Sequence, residues 1–234
     1  MVKLKMGMIG GGMGSFIGAI HRNAAFLDNK IELVAGCFSS SFENSLQTGK
    51  DLYLDKERVY KTFEEMLSIE SSLSKSDRID FVSIVTPNHL HFDPAIMALE
   101  KGFPVIIDKP LSFNSIESNK LQQKVEETGL PFAVTHTYTG YPMVKEAKYL
   151  INSGKIGKLR KVAVEYPQGW LSTRLESTDN KQASWRTDPK KSGKAGSMGD
   201  IGTHAANMVE YITGKKILKL LSKVNIFVEG RPLE

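Results

Sequence analysis

Three stretches of this chain combine residue types and spacings that could do chemistry. Asp108-Lys109-Pro110 follows a short apolar run beginning at Val105. A lysine held at the end of a buried strand can reach both a bound ribose and a substrate hydroxyl, and the proline fixes the turn; the simpler alternative is a solvated lysine before a helix. Asp200 and His204 lie within GDIGTHAANMVEY. Four residues apart on a helix places them on one face. His204 could take a hydroxyl proton as general base, and a place in the first turns of a helix favours the neutral imidazole that this requires. Asp200 could orient the histidine or bind a second hydroxyl. The plainer alternative is a capping aspartate and a hydrogen-bonded histidine. Gly199 and Gly202 cost helix stability, which favours close approach of a ligand there. The third stretch, Thr86-Pro87-Asn88-His89-Leu90-His91, has two histidines, but no acid-and-histidine set with metal-ligand spacing completes a site. It reads as one wall of a cleft, and no metal is expected.

The element that organises these groups is the opening, KMGMIGGGMGSFIGAIH, from Lys5 to His21. An apolar run reads as a buried strand, which stops at Gly10, Gly11 and Gly12. Met13 and Gly14 follow, and then Phe16, Ile17, Ile20 and Ala24 recur at helical spacing. Strand, glycine turn and helix open a dinucleotide-binding βαβ unit. A pyrophosphate reaches backbone N–H groups only where no Cβ intervenes, and the helix N-terminus then offers free donors and a positive dipole end. Counting from Gly10, the fingerprint gives Gly10, Gly12 and Ser15 where a third glycine or alanine would stand. A tight turn between strand and helix is the bland alternative.

Further strands are expected over 31–38, 79–86, 105–108 and 131–135, with a short strand or loop at 60–63. Helices are expected over 43–53, from the Thr62/Glu65 capping box through Ile69, from Asp93 as N-cap to Gly102, and over 115–128 before Gly129. The alternation argues an α/β fold with a doubly wound parallel sheet. Its strand carboxyl ends share one edge, where the glycine turn, Pro87 to His89, Asp108 to Pro110 and His136 would converge. The second strand ends in Ser39, Ser40 and Ser41, where an NAD-binding fold usually has an acid. With neither an acid there nor a basic clamp beside it, NAD and NADP both stay open. The pattern changes at His136, giving a dinucleotide-binding domain over 1–135 and an α+β substrate domain over 136–234. The second domain is expected to hold helices over 144–151 and 198–213, and long strands over 158–168 and 217–228. A long connection carries Trp170, Trp185 and Arg186.

Composition is that of an ordinary globular protein. Its 31 basic and 26 acidic residues give a net charge of +5, dispersed along the chain. No basic run interleaved with aromatics is present, which argues against a nucleic-acid partner. The single cysteine, Cys37, lies in an apolar strand pattern and reads as a small core residue. No stretch is long and apolar enough to span a membrane as a helix, and the glycines of the first segment fall where a strand-turn-helix needs them rather than a cleavage site. A reducing, cytoplasmic setting is the default expectation.

Together the glycine turn at 10–14, TPNHLH at 86–91, DKP at 108–110 and GDIGTH at 199–204 resemble the Gfo/Idh/MocA family, the NAD(P)-dependent glucose–fructose oxidoreductase and inositol dehydrogenase group. The resemblance implies a Rossmann domain followed by a mostly antiparallel substrate domain, and hydride transfer between NAD or NADP and a hydroxyl-bearing carbon of a sugar, cyclitol or derivative. It makes Lys109, Asp200 and His204 catalytic, with Lys109 and His204 binding the substrate oxygen and His204 acting as base. It places Gly10, Gly12, Met13, Gly14, Ser39, Ser40, Thr86, Pro87, Asn88, His91, Asp108, Lys109 and Pro110 at the cofactor. His136, Tyr138, Tyr166, Trp185 and Arg186 fall to the substrate. Members normally continue further, completing a sheet that also forms the subunit interface. A fragment or a shortened paralogue is therefore expected, with an apolar face and an unpaired edge exposed, and homo-oligomerisation through that sheet in a full-length chain. A non-catalytic dinucleotide sensor of the same fold is the alternative from another class.

Overall fold

The computed structural model describes residues 3–233, in two compact units, one ending at Thr135 and the other beginning at His136. In the first unit β1 (Leu4–Gly10), β2 (Ile31–Cys37), β3 (Phe81–Val85), β4 (Val105–Ile107) and β5 (Phe132–Val134) form one parallel sheet in the order β2-β1-β3-β4-β5. The connections carry α1 (Phe16–Phe26), α2 (Phe42–Asp51), α3 (Phe63–Ser72), α4 (Phe92–Glu100) and α5 (Ser115–Thr128). Chain order reverses across β1 and β3, so a crevice opens between their carboxyl ends, where ligands bind in doubly wound sheets.

The strands are apolar on both faces because helices cover both. Val82 and Ile84 point into a cluster with Ile9, Met66, Leu99, Phe103 and Ile107. Phe81 and Val85 point the other way, to Met6, Met8 and Phe38. Each fully buried aliphatic or aromatic side chain contributes about 1.5–3 kcal/mol by leaving water. Helix ends follow local chemistry. The Asn114 side chain accepts from Glu117 N at 3.0 Å while the Glu117 carboxylate accepts from Phe113 N, and Gly129 closes α5 at φ 63°. Thr62 Oγ1 likewise accepts from Glu65 N, and the Glu65 carboxylate takes Lys61 N. Helix α4 starts two residues earlier than expected: His91 is its N-cap, and Asp93 lies inside the first turn. Residues 60–63 form no strand; the neighbouring Val59 makes one isolated bridge to Gly36.

A buried acid ties this unit together. Glu70, fully enclosed, accepts from Arg58 Nε and Nη2 at 2.7 Å each, from the Tyr60 hydroxyl at 2.8 Å and from Ile79 N at 3.0 Å. Four donors satisfy the carboxylate, which is what permits its burial.

The second unit holds α6 (Pro142–Asn152), α7 (Lys181–Arg186), α8 (Pro189–Ser192) and α9 (Thr203–Thr213), the last preceded by a π-helical turn, Met198–Gly202, and closed by Gly214. Arg231 is buried and clamps the 171–177 loop, donating to the carbonyls of Leu171 and Thr173 and to both carboxylate oxygens of Glu176. The long strands expected over 158–168 and 217–228 do not form. Alternation of apolar residues marks a face, whereas a strand also needs a partner in register to take its backbone hydrogen bonds, and neither segment has one among the described residues. Their side chains accordingly face solvent, Leu218 at 91% and Leu221 at 98% exposure. No helix among the described residues is long and apolar enough to cross a membrane.

Candidate active site

The glycine turn closes β1 at the β1/β3 crevice. Gly10, Gly11 and Gly14 have φ of 83°, 77° and 78°, which a side chain rarely tolerates. A Cβ on Gly10 would lie 3.0 Å from Thr86 N, at the end of β3, and one on Gly12 would lie 2.9 Å from the Phe38 carbonyl. At Gly14 a Cβ would meet nothing within 4 Å, so this glycine faces open space. Ser15 is the N-cap of α1, but its side chain makes no capping hydrogen bond. The first turn of α1 therefore presents its N–H groups without competition from the cap side chain. The turn is also held from below. Gly12 N donates to Phe38 O at 3.0 Å and Met13 N to Thr48 Oγ1 at 3.1 Å, so these two amides hold the turn.

Close packing comes from a residue outside the fingerprint. A Cβ on Gly18 would lie 2.4 Å from Gly11 Cα and 2.7 Å from Gly11 O. Gly18, rather than Ser15, lets α1 lie against the turn. One turn further on, Arg22 Nη1 donates to Gly11 O at 2.8 Å, and burial pushes its guanidinium pKa down. Reading the fingerprint alone misses Gly18, Arg22 and Thr48. The signal for Gly18 was present: a glycine inside a helix costs about 1 kcal/mol and needs a reason.

Beyond β2, the serines build the start of α2. Ser39 Oγ accepts from Ser41 N at 3.2 Å, Ser39 N donates to Ser45 Oγ, and Ser41 Oγ caps Asn44 N. Ser40 is exposed. At the end of β3, Thr86 Oγ1 donates to Leu90 O, Pro87 precedes a 3-10 turn, Asn88–Leu90, and Asn88 is buried. His91 is fully enclosed, with Nδ1 2.8 Å from Pro110 O and Nε2 2.9 Å from Thr86 O. It bolts the strand end at 86 to the turn at 110. Burial lowers its pKa, although both carbonyls oppose this, and a neutral ring can donate to only one of them.

Asp108 and Lys109 follow β4. Burial pushes the Asp108 carboxyl up, but the His21 imidazole and the Thr135 hydroxyl, 2.7 Å away, outweigh it and hold the carboxyl below its usual range. Lys109 is half-buried and joined to Pro110 by a cis peptide.

In the second unit, His204 is buried in the first turn of α9, with the Tyr138 ring 4.7 Å and the His136 ring 5.7 Å from its own, both edge-on. Tyr138 and Tyr166 share a hydroxyl–hydroxyl hydrogen bond, which, with burial, pushes the Tyr138 phenol up to about 12. Asp200 Oδ2 takes Arg186 Nε at 3.2 Å. The Arg186 guanidinium lies 4.2 Å from the Trp185 ring and 5.6 Å from that of Trp170, and also donates to Gln182. Asp200 thus sits in the π-helical turn as the partner of an arginine. The space over Gly202 is filled by Met198, whose Cε would lie 2.6 Å from an added Cβ, rather than being left open for a ligand.

Residues 4–136 match the family described as "Oxidoreductase family, NAD-binding Rossmann fold", and residues 144–233 match the "GFO/IDH/MocA C-terminal domain". The uncharacterized oxidoreductase YfiI of Bacillus subtilis is 36% identical over 234 residues, which is 99% of this chain and 59% of that protein. An inositol dehydrogenase homolog from Azotobacter vinelandii, complexed with NAD+, superposes with a TM-score of 0.87 at 32% identity, covering 91% of this chain and 54% of that one. The structure with NADH and myo-inositol gives a TM-score of 0.82 at 30% identity, covering 92% and 53%. The chain thus spans a little over half the length of these relatives.

Proposed function

The chain belongs to the Gfo/Idh/MocA family of NAD-binding oxidoreductases, and from that membership we propose that it transfers a hydride between NAD or NADP and the hydroxyl-bearing carbon of a sugar, cyclitol or derivative. The observation that carries this is the glycine turn, which opens on an uncapped helix N-terminus at the β1/β3 crevice, with Lys109 on the same strand-end edge. Gly14 and the first turn of α1 receive the pyrophosphate. Ser39 and Ser40 lie at the end of β2 beside the adenosine ribose, and Thr86, Pro87 and Asn88 wall the cleft. When bound, the nicotinamide supplies the hydride acceptor or donor.

Lys109 and His204 bind the substrate oxygen, and His204 takes its proton as the carbonyl forms. Asp200 and Arg186 fix each other, so the arginine meets a substrate hydroxyl in one orientation. His136, Tyr138, Tyr166 and Trp185 shape the polyol pocket, in keeping with the myo-inositol held by the Azotobacter homolog. Myo-inositol and related polyols are the first substrates to try.

The test is a fluorescence titration with NADH and NADPH, followed by a screen of polyols and aldoses for cofactor reduction, repeated with Lys109→Ala and His204→Ala. Turnover lost in both variants with cofactor affinity retained supports the assignment. Full activity in both refutes it, and cofactor binding without turnover of any polyol points to a dinucleotide sensor.

A further inference from the structure

We infer that His21 is a positioning residue for Lys109, acting from inside the first unit through Asp108; this rests on the catalytic part proposed for Lys109. His21 lies on α1, one turn beyond Ile17. Its Nδ1 is 3.0 Å from Ser83 Oγ on β3, and its Nε2 is 3.9 Å from Asp108 Oδ1 at the end of β4. The two side chains are 10% and 17% exposed, so water screens their interaction weakly. Where the Ser83 hydroxyl donates to Nδ1, a proton on Nε2 faces the carboxylate.

The same Asp108 oxygen accepts from the Thr135 hydroxyl at 2.7 Å, and Asp108 N donates to Ile84 O at 3.0 Å. The residue before Lys109 is therefore gripped from α1, from β3 and from the end of β5, which fixes the backbone from which the lysine projects. Ser83, His21 and Asp108 are the three residue types of an acyl-transfer triad, but Ser83 is 1% exposed in the middle of β3 and no substrate can reach it. Their arrangement can orient, and it cannot attack.

Helix α1 thereby serves both ends of the cofactor edge. Gly18 and Arg22 seat the glycine turn, and His21, between them, seats the turn that carries Lys109. A shift of α1 would move the phosphate site and the lysine together.

The experiment compares wild type, His21→Phe, which removes both ring-nitrogen contacts, and His21→Gln, which keeps a donor for Asp108. NADH affinity is read by fluorescence, and kcat and KM with NAD+ and myo-inositol. A fall in kcat of roughly tenfold in H21F, the scale of one weakly screened polar contact, is expected, with NADH affinity kept and most of the rate restored in H21Q. Wild-type kcat in H21F, or a loss that H21Q shares in full, overturns the inference. Should H21F not fold, Ser83→Ala replaces it, with a fall of roughly threefold from the freed imidazole expected and an unchanged kcat overturning. If wild type does not turn over myo-inositol, the proposed reaction fails for that substrate, and the positioning is judged separately from crystal structures of wild type and H21F. A displaced Asp108 carboxylate on an unmoved α1 supports it, and an unmoved carboxylate overturns it.

Discussion

Replacing Gly18 by alanine tests how the phosphate end of the cleft is built. The new methyl would lie 2.4 Å from Gly11 Cα, 2.7 Å from Gly11 O and 2.9 Å from Gly11 C. Carbon atoms pack at about 3.5–4.0 Å, so helix and turn must separate by about 1 Å. In a helix interior, alanine is favoured over glycine by about 1 kcal/mol. Overpacking costs about 1–3 kcal/mol, and the upper end applies because the atoms met are backbone and cannot rotate away. The expected net loss is about 1–2 kcal/mol of stability. A turn displaced by about 1 Å should also weaken NADH binding on the order of 10–100-fold. Both tryptophans, Trp170 and Trp185, lie in the other unit, so unfolding in urea is best followed by the reactivity of Cys37, which is buried on β2. A variant at least as stable as wild type, with unchanged NADH affinity, would refute the close-packing argument.

Glu70→Ala should cost about 3–5 kcal/mol, because it strands the buried end of Arg58, the Tyr60 hydroxyl and Ile79 N together; the urea midpoint measures it. Cys37 should resist thiol reagents at pH 8. Burial, then the Glu64 and Glu65 carboxylates, push its thiol up to about 11, leaving about one part in a thousand as thiolate, and rapid labelling of native protein would contradict this. Asp108→Asn should flatten the acid limb of stability. The folded carboxyl sits below its unfolded value, so its contribution is complete above the unfolded pKa and is lost as pH falls through the folded one; acid titrations of both proteins compare the slopes. Arg186→Lys keeps the charge but loses the planar fork between Asp200 and Gln182. It should raise KM for polyol by roughly tenfold with kcat held within a few-fold, which steady-state kinetics would reveal.

The first unit was largely legible because its signals are local. Short apolar runs between helical patterns give the parallel sheet, and Thr62 and Gly129 act where capping chemistry puts them. What is not legible at the site is what depends on tertiary contact. Gly18 matters through Gly11, His21 through Asp108, and Thr48 through Met13 N, and no sequence spacing links these pairs. In the second unit, Asp200 and His204 fall on one helical run as the spacing suggested, but a π-helical turn carries the aspartate. Strand patterns over 158–168 and 217–228 mislead because alternation announces a face without supplying a partner. Short helices such as Lys181–Arg186 hide in a connection whose composition reads as loop, and its helix is started by Asn180, whose side chain accepts from Gln182 N and Ala183 N.

The hydrogen bonds that hold the glycine turn also set the terms of association. Gly12 N is tied to Phe38 O, Met13 N to Thr48 and the Gly11 carbonyl to Arg22. A phosphate arriving there meets a turn whose backbone these bonds already brace, so little ordering entropy is subtracted from the contacts it makes. Encounter should then be a single step, with an observed rate that rises linearly with NADH concentration instead of levelling at the rate of a loop closing. Differences in affinity among nicotinamide dinucleotides would reside in how slowly each one leaves.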